Sequence, residues 1–246
     1  MATIVAIGGG ELGELQTLPI DQRIVLLSGK KRPRVLFIPT ASGDAEGYVE
    51  AFRNVYGRKL GCEVDVLRLV GGKTTAKTAA LQVRMADIVY VGGGDTLRML
   101  RLWKKYGVDE ELRKAYRKGT ILAGLSAGAI AWFRYGMSDS RRFSKGNDFA
   151  YIRVSGLDLV PLLVSPHHIR ERKLREPALR DMMRRTPGVA LAIDDNAALL
   201  IQDDWYEIVQ SVAEAGIAKV FASKGNIVRY PIGSKGLLAD LIRKDR

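Results

Sequence analysis

The sequence predicts an α/β fold in which a doubly wound, mainly parallel sheet forms the middle of three α/β/α layers. Short runs rich in valine and isoleucine alternate with longer amphipathic segments, which indicates buried parallel strands joined by helices. After about residue 190 the segments become short and are separated by turn residues, as in antiparallel hairpins. The chain has 246 residues, 47% of them hydrophobic, which suffices for one sizeable core. We therefore expect one domain over residues 1–246, with antiparallel strands near its C-terminus.

The individual elements follow from these patterns in chain order. The predicted buried strands are Thr3–Ile7, 35–38, 64–69, Ile88–Val91, 121–123, 162–164 and Val189–Ile193. The amphipathic segments predict helices at 19–27, 47–60, Ala76–Met85, Thr96–Tyr106, 109–118, 127–133 and 169–185. The C-terminal part predicts strands at Ala197–Gln202, 205–209, 218–222 and 226–230, followed by a helix at 237–243.

Composition excludes several classes of protein. The only cysteine, Cys62, cannot form an intrachain disulfide and suits a reducing compartment, so we expect a cytoplasmic protein. No apolar stretch approaches the ~20 residues that span a bilayer, and the N-terminus lacks the features of a signal peptide. There are only two histidines, which disfavours metal sites built from several Cys or His. We expect no metal, no cofactor and no membrane partner.

The net charge of +12 calls for an explanation. Basic residues cluster at 30–34, 134–145 and 170–185, which would suit nucleic acid or acidic substrates. Acidic residues interleave with the basic ones over 170–176, as on a solvated helix face, and the chain contains no nucleic-acid-binding motif. We expect a solvated surface and no nucleic-acid partner, and the sequence leaves monomer and homodimer open.

The sharpest motif is Gly124-Leu125-Ser126-Ala127-Gly128, which matches Gly-x-Ser-x-Gly. It follows a predicted strand and precedes a predicted helix, which is the context of a nucleophile elbow. Such a turn lifts the serine hydroxyl off the end of the sheet and points backbone N–H groups at a developing oxyanion. We predict that Ser126 is a nucleophile; a glycine-rich turn with a capping serine is the structural alternative.

A serine nucleophile needs a base, and the chain offers His167 or His168. Both follow a predicted strand, at the sheet edge where open parallel sheets carry their active sites. Asp194 and Asp195 follow the next predicted strand and are candidates to orient the imidazole.

Two glycine runs are candidates for binding loops. Gly92-Gly93-Gly94 ends a predicted strand and opens a helix, so it can supply a second oxyanion donor or a tight turn capped by Asp95 or Thr96. The segment 8–13 fits the Gly-x-Gly-x-x-Gly of dinucleotide sites, but no acidic residue ends the second strand, which disfavours a cofactor.

Taken together, these motifs resemble the peptidase E (aspartyl dipeptidase) family of serine peptidases over nearly the whole chain. The resemblance implies the class I glutamine-amidotransferase-like fold, although a serine at the elbow argues against a glutamine amidotransferase itself. The matching segments are Gly8-Gly9-Gly10, Phe37-Ile38-Pro39-Thr40-Ala41, Gly94-Asp95-Thr96, 124–129, Ser138-Asp139-Ser140, Pro166-His167 and 194–199.

The resemblance also implies roles for single residues. The implied catalytic residues are Ser126, His167 and Asp195, with the N–H groups of Gly94 and Ala127 as oxyanion donors. The implied substrate-binding residues are Asp95, Asp139 and Arg170. The chain departs from the family pattern in having Asp95 for asparagine, an aspartate at 195 where glutamate is frequent, and a short segment between His167 and Arg170.

We therefore expect a serine dipeptidase that hydrolyses short peptides with an N-terminal aspartate. One alternative is a cyanophycinase-like hydrolase of aspartyl–arginine conjugates. The carboxylate of Asp95 would suit the cationic group of such a substrate. Another is a non-catalytic binding module on the same fold, with the basic surface as its partner face.

Overall fold

The computed structural model of the chain describes residues 1–143, 149–169, 171–221, 227–231 and 233–243. Its strands are β1 (Thr3–Ile7), β2 (Arg34–Ile38), β3 (Glu63–Val66), β4 (Ile88–Val91), β5 (Ile121–Leu125), β6 (Phe133–Ser138), β7 (Ile152–Ser155), β8 (Val160–Ser165), β9 (Val189–Ile193), β10 (Ala197–Gln202), β11 (Trp205–Gln210), β12 (Ile217–Phe221), β13 (Ile227–Tyr230) and β14 (Lys235–Leu237). Its α-helices are α1 (Leu18–Leu27), α2 (Glu46–Phe52), α3 (Ala76–Met85), α4 (Thr96–Tyr106), α5 (Val108–Arg117), α6 (Ala127–Trp132), α7 (Arg172–Arg184) and α8 (Leu238–Ile242).

The first sheet has the order β14-β11-β10-β1-β5-β4-β2-β3 in the described part of the chain. The five neighbouring strands β1, β5, β4, β2 and β3 are parallel to one another, whereas β10, β11 and β14 pair antiparallel to their neighbours. The predicted parallel sheet with antiparallel C-terminal strands is thus confirmed.

Helices cover both faces of this sheet because side chains alternate along each strand. In β1, Ile4 and Ala6 pack in one core with α3, α4, α5 and α6, whereas Val5 and Ile7 pack in another with α1 and α2. All four side chains are at most 2% exposed, and each large one contributes about 1.5–3 kcal/mol by its burial.

A second sheet, with the order β13-β12-β9-β8-β6-β7, was not predicted as a separate unit. It arises because α6 is only six residues long and the chain enters β6 at the residue after Trp132. Every residue of α6 is buried, and the helix contacts β1, β4 and β5 of one sheet and β6 and β8 of the other. The helix α7 covers the outer face of the second sheet through Leu179 and Met183.

Several predicted boundaries were wrong. The strand predicted at 64–69 ends at Val66, and the helix predicted at 47–60 is α2 followed by a π-helix, Arg53–Lys59. The helix predicted at 169–185 begins at Arg172. The strands β6, β7 and β14 were missed because they are short or carry Arg134 and Gly136 among few apolar residues. Ala222 and Asn226, at the ends of two predicted strands, lie outside the described residues.

Candidate active site

Ser126 occupies a strained turn between β5 and α6. Its backbone has φ +53° and ψ −107°, and its N–H donates to the carbonyl of Ile7 at 2.9 Å. The two motif glycines allow α6 to approach the sheet: a Cβ on Gly124 would lie 2.4 Å from the carbonyl of Gly128, and one on Gly128 would lie 2.2 Å from that of Val91. The motif is therefore a packing requirement that projects the serine from the sheet edge.

The imidazole of His167 lies between Ser126 and Asp195. Its Nε2 is 2.8 Å from Ser126 Oγ, and its Nδ1 is 2.6 Å from Asp195 Oδ1. An ionised carboxylate only accepts, so the contacts favour a tautomer in which Nδ1–H donates to Asp195 and the Nε2 lone pair faces the serine. This arrangement can carry a proton from a serine hydroxyl to a leaving group.

The three hydrogen-bonded side chains, those of Ser126, His167 and Asp195, follow strands of two different sheets. Ser126 follows β5 of the first sheet, whereas His167 follows β8 of the second. Asp195 lies where the chain crosses from β9 in the second sheet to β10 in the first. The prediction that all three end at one sheet edge is therefore wrong, since the carboxyl ends of two sheets meet around the site.

Three glycines after β1 bring these segments together, and this role was missed from the sequence. We call Gly8, Gly9 and Gly10 the glycine turn. The carbonyl of Gly8 accepts from His167 N–H at 3.1 Å, and that of Gly9 accepts from Asn196 N–H at 2.9 Å. A Cβ on Gly9 would lie 1.8 Å from Asp195 Oδ1 and 2.4 Å from His167 Nδ1. Glycine is required at this position because only a backbone without a Cβ can pass so close to both side chains.

The neighbouring residues His168 and Asp194 point away from the cavity. His168 is 1% exposed, and burial lowers its pKa, an effect that the charge of Asp194 partly opposes. Asp194 is fully buried, and its Oδ2 lies 2.6 Å from the guanidinium of Arg229 and accepts from Gly216 N–H at 3.0 Å. The structure thus favours His167 over His168, and Asp195 over Asp194, as the residues that face Ser126.

A cavity of about 420 Å³ opens beside Ser126 and His167. Gly94, with φ +133°, lines it, and a Cβ there would lie 2.3 Å from the carbonyl of Ala41. Ala127 directly follows the serine and begins α6, where backbone N–H groups have no intrahelical acceptor. The lining residues are Gly10, Glu11, Leu12, Gly13, Tyr48, Ala51, Gly93, Gly94, Leu125, Ser126 and His167.

The predicted substrate-binding residues are less closely grouped. Asp95 caps α4, where its Oδ1 accepts from Arg98 N–H at 3.2 Å. Asp139 lies 3.8 Å from both Arg142 and Arg175. Neither aspartate lines the cavity, and Arg170 lies outside the described residues.

Two lining side chains, Glu11 and Tyr48, were not singled out from the sequence. Burial is the main cause that raises the pKa of the Tyr48 phenol, and the charges of Asp21 and Glu11 add to it. Tyr48 therefore stays neutral, and Glu11 is the one carboxylate among the described residues that line the cavity. The position of Glu11 next to the glycine turn was the available signal.

Metal sites and membrane-spanning helices are two further features that bear on function. Among the described residues, no group of three His, Cys, Asp or Glu side chains is placed to hold a metal ion. In the same part of the chain, no helix has the length and apolar character to cross a membrane.

The chain is similar to known peptidases over most of its length. Peptidase family S51 matches residues 4–209. An uncharacterized peptidase of Bacillus subtilis is 34% identical over 240 residues, which cover 96% of this chain and all of that protein. Peptidase E of Nostoc is 24% identical over 210 residues, 80% of this chain and 81% of that protein. The crystal structure of a peptidase from an acI-B1 Actinobacterium superposes with a TM-score of 0.73 at 19% identity, covering 96% and 97% of the two chains, which confirms the predicted fold class.

Proposed function

The chain belongs to peptidase family S51, and from that premise we propose that it is a serine-type dipeptidase that cleaves short peptides with an N-terminal aspartate. The observation that carries the proposal is the contact of one imidazole with both Ser126 and Asp195, at 2.8 and 2.6 Å. These distances lie within the hydrogen-bonding range that proton transfer requires.

Acylation follows from the two contacts. As Ser126 Oγ attacks the peptide carbonyl carbon, its proton passes to His167 Nε2, and the positive imidazolium is held by the carboxylate of Asp195. The carbonyl oxygen becomes an oxyanion that accepts from the N–H groups of Gly94 and Ala127. The C–N bond then breaks as His167 Nε2 gives its proton to the leaving amine.

Deacylation uses the same groups in reverse. Water attacks the ester carbon of the acyl-enzyme while His167 Nε2 takes one of its protons. The tetrahedral intermediate collapses, the proton returns to Ser126 Oγ, and the acid product leaves. The proton that Ser126 loses leaves on the amine product and is replaced by one from water, so the two half-reactions balance without a further group.

Recognition of the first substrate residue is assigned to Asp95, Asp139 and Arg170. Asp95 and Asp139 would receive the amino end of the peptide, and Arg170 would pair with an acidic side chain through two parallel hydrogen bonds. The resemblance to peptidase E supports this part of the proposal. A cytoplasmic location, with small peptides as the substrates, is proposed on the composition of the chain.

The test is a panel of dipeptides with different first residues, assayed with the wild-type protein, Ser126→Ala and Arg170→Ala. We expect Asp-Leu to be hydrolysed fastest, Ser126→Ala to lose about 10³-fold or more, and Arg170→Ala to lose the preference for aspartate while still cleaving other dipeptides. Full activity in Ser126→Ala would contradict the mechanism, and an unchanged preference in Arg170→Ala would contradict the specificity.

A second candidate is a cyanophycinase-like hydrolase of aspartyl–arginine conjugates. This reading assigns a guanidinium to the carboxylate of Asp95, which would have to leave the cap of α4 to receive it. Turnover of β-Asp-Arg above that of Asp-Leu would select this alternative.

A further inference from the structure

One charged side chain on the cavity wall has no part in the mechanism above. Glu11 follows the glycine turn, and its backbone is fixed on both sides. Its N–H donates to Gln16 Oε1 at 2.9 Å, and its carbonyl accepts from the N–H groups of Glu14 and Gln16, both at 3.2 Å. The position of this residue on the rim of the cavity is therefore set by the short 3₁₀ turn Leu12–Glu14.

Glu11 is the one carboxylate among the residues that line the cavity. Its charge helps to raise the pKa of the Tyr48 phenol, for which burial is the first cause. The carboxylate and the phenol therefore share this wall, and the phenol stays neutral. Glu11 thus places a carboxylate on the wall of this cavity, in a chain whose net charge is +12.

Glu11 has no ion-pair partner among the described residues, whereas several other carboxylates of the molecule do. Asp87 lies 2.7 Å from Lys30, and Glu111 lies 2.7 Å from Arg84. No lysine or arginine forms an ion pair with Glu11 within the described ranges of the chain. With so many basic residues in the protein, an unpaired carboxylate beside a nucleophile is available to a cationic ligand.

The position of His167 indicates which part of a substrate meets Glu11. In the proposed mechanism, His167 Nε2 gives its proton to the leaving amine, so the leaving residue lies on the side of this imidazole. His167 and Glu11 line the same cavity, whereas Asp95 and Asp139 do not. Ser126 and Gly94 line this cavity too, so a leaving residue that lies beside the imidazole occupies a space that Glu11 borders.

We propose that Glu11 is a specificity-determining residue that binds a cationic side chain, an ammonium or guanidinium, on the residue after the scissile bond. This inference rests on the proposed function, because it uses the direction of proton transfer. The carboxylate accepts charge-assisted hydrogen bonds from such a group and repels an acidic side chain. A neutral side chain of the same length lacks both effects, so the ratio of lysine to norleucine isolates the charge.

The experiment measures the affinity of the Ser126→Ala protein for Asp-Lys amide and Asp-norleucine amide by calorimetry. The amidated ends remove the terminal carboxylate, and a second pair with alanine in place of aspartate removes any dependence on the first residue. The comparison is repeated in Ser126→Ala/Glu11→Gln and in Ser126→Ala/Glu14→Gln. Glu14 is the matched control, since it lies on the same turn and its carboxylate accepts from Gln16 Nε2 at 2.9 Å.

We expect the lysine peptides to bind about tenfold more tightly than the norleucine peptides, with the preference lost in the Glu11→Gln protein and kept in the Glu14→Gln protein. Equal affinities in the Ser126→Ala protein, absence of binding by both peptides included, would overturn the proposal. So would a preference that survives Glu11→Gln. Hydrolysis by the wild-type protein is recorded separately: selective binding without cleavage would refute the proposed function and leave only the binding of a cation by Glu11 standing.

Discussion

Two histidine–aspartate pairs occupy adjacent positions in this molecule and differ in almost every property. The first pair is His167 with Asp195, whose side chains are 21% and 13% exposed. We call it the exposed pair because its histidine borders the cavity and contacts Ser126 there. Their sequence neighbours, His168 and Asp194, are 1% and 0% exposed, and we call them the buried pair; the aspartate contacts Arg229. Neighbours in sequence thus serve two purposes, and the direction of each side chain decides which one.

The backbone explains this difference. His167 has φ +54°, a conformation that few residues other than glycine adopt. Its N–H donates to Gly8, whereas the next N–H, that of His168, donates to Ile193 at 3.1 Å. The chain therefore turns sharply between the two sheets, and consecutive imidazoles leave it in different directions.

The largest expected effect comes from breaking the exposed pair with Asp195→Asn. The amide cannot stabilise the imidazolium and does not enforce the tautomer that leaves Nε2 free to accept, so peptide hydrolysis should fall by about 10³–10⁴-fold. The melting temperature should change little, because the Asp195 side chain is partly exposed. Steady-state hydrolysis and thermal unfolding of the same preparation test this, and a loss below tenfold would contradict the role of Asp195.

The same substitution in the buried pair, Asp194→Asn, should give the opposite pattern. It removes a buried charge that lies 2.6 Å from Arg229, whose side chain is 39% exposed. The free energy of unfolding should therefore fall by about 1–2 kcal/mol, less than for a fully buried pair. The folded protein should keep its turnover within a few fold. Chemical denaturation with urea measures the free energy of unfolding, and an unchanged value would show that the contact between Asp194 and Arg229 does not stabilise the fold.

The glycine turn offers a sharper test of the exposed pair. The Cβ of Gly9→Ala would overlap Asp195 Oδ1 at 1.8 Å, so the carboxylate or the imidazole must move, and a shift of about 1 Å can lower the rate about 10²-fold. Gly47→Ala is the control, because a Cβ there meets nothing within 4 Å. Equal hydrolysis rates in the two variants would contradict the close packing described here.

The smallest effect concerns the protonation of the buried pair. Burial lowers the pKa of His168 in the folded state, so its protonation favours the unfolded chain. The stability that depends on neutral His168 is complete above the unfolded pKa of about 6.5 and is lost as the pH falls below it, by at most ~1.4 kcal/mol per pH unit. His168→Gln should remove this part of the slope, which urea denaturation at several pH values measures. A variant with the same slope would show that another group causes it.

Much of the first sheet and of the elbow could be predicted from the sequence. β1, β4 and β10 begin and end where the apolar runs indicated, and the spacing of Gly124, Ser126 and Gly128 indicated the turn that the structure contains. The second sheet could not be predicted, because β6 and β7 lack continuous apolar runs and are recognised only by their partners. The choice between two adjacent histidines depends on one positive φ, which no propensity of the residue types predicts.

Labelling with a fluorophosphonate probe tests most directly the central claim that His167, and not its neighbour, activates Ser126. The probe is applied to the wild-type protein, His167→Gln and His168→Gln at neutral pH, with circular dichroism to verify that each is folded. We predict that wild type and His168→Gln are labelled at rates within a few fold of each other, and that His167→Gln is labelled about 10³-fold more slowly. Labelling of His167→Gln at the wild-type rate, or an equal loss in folded His168→Gln, would contradict the account.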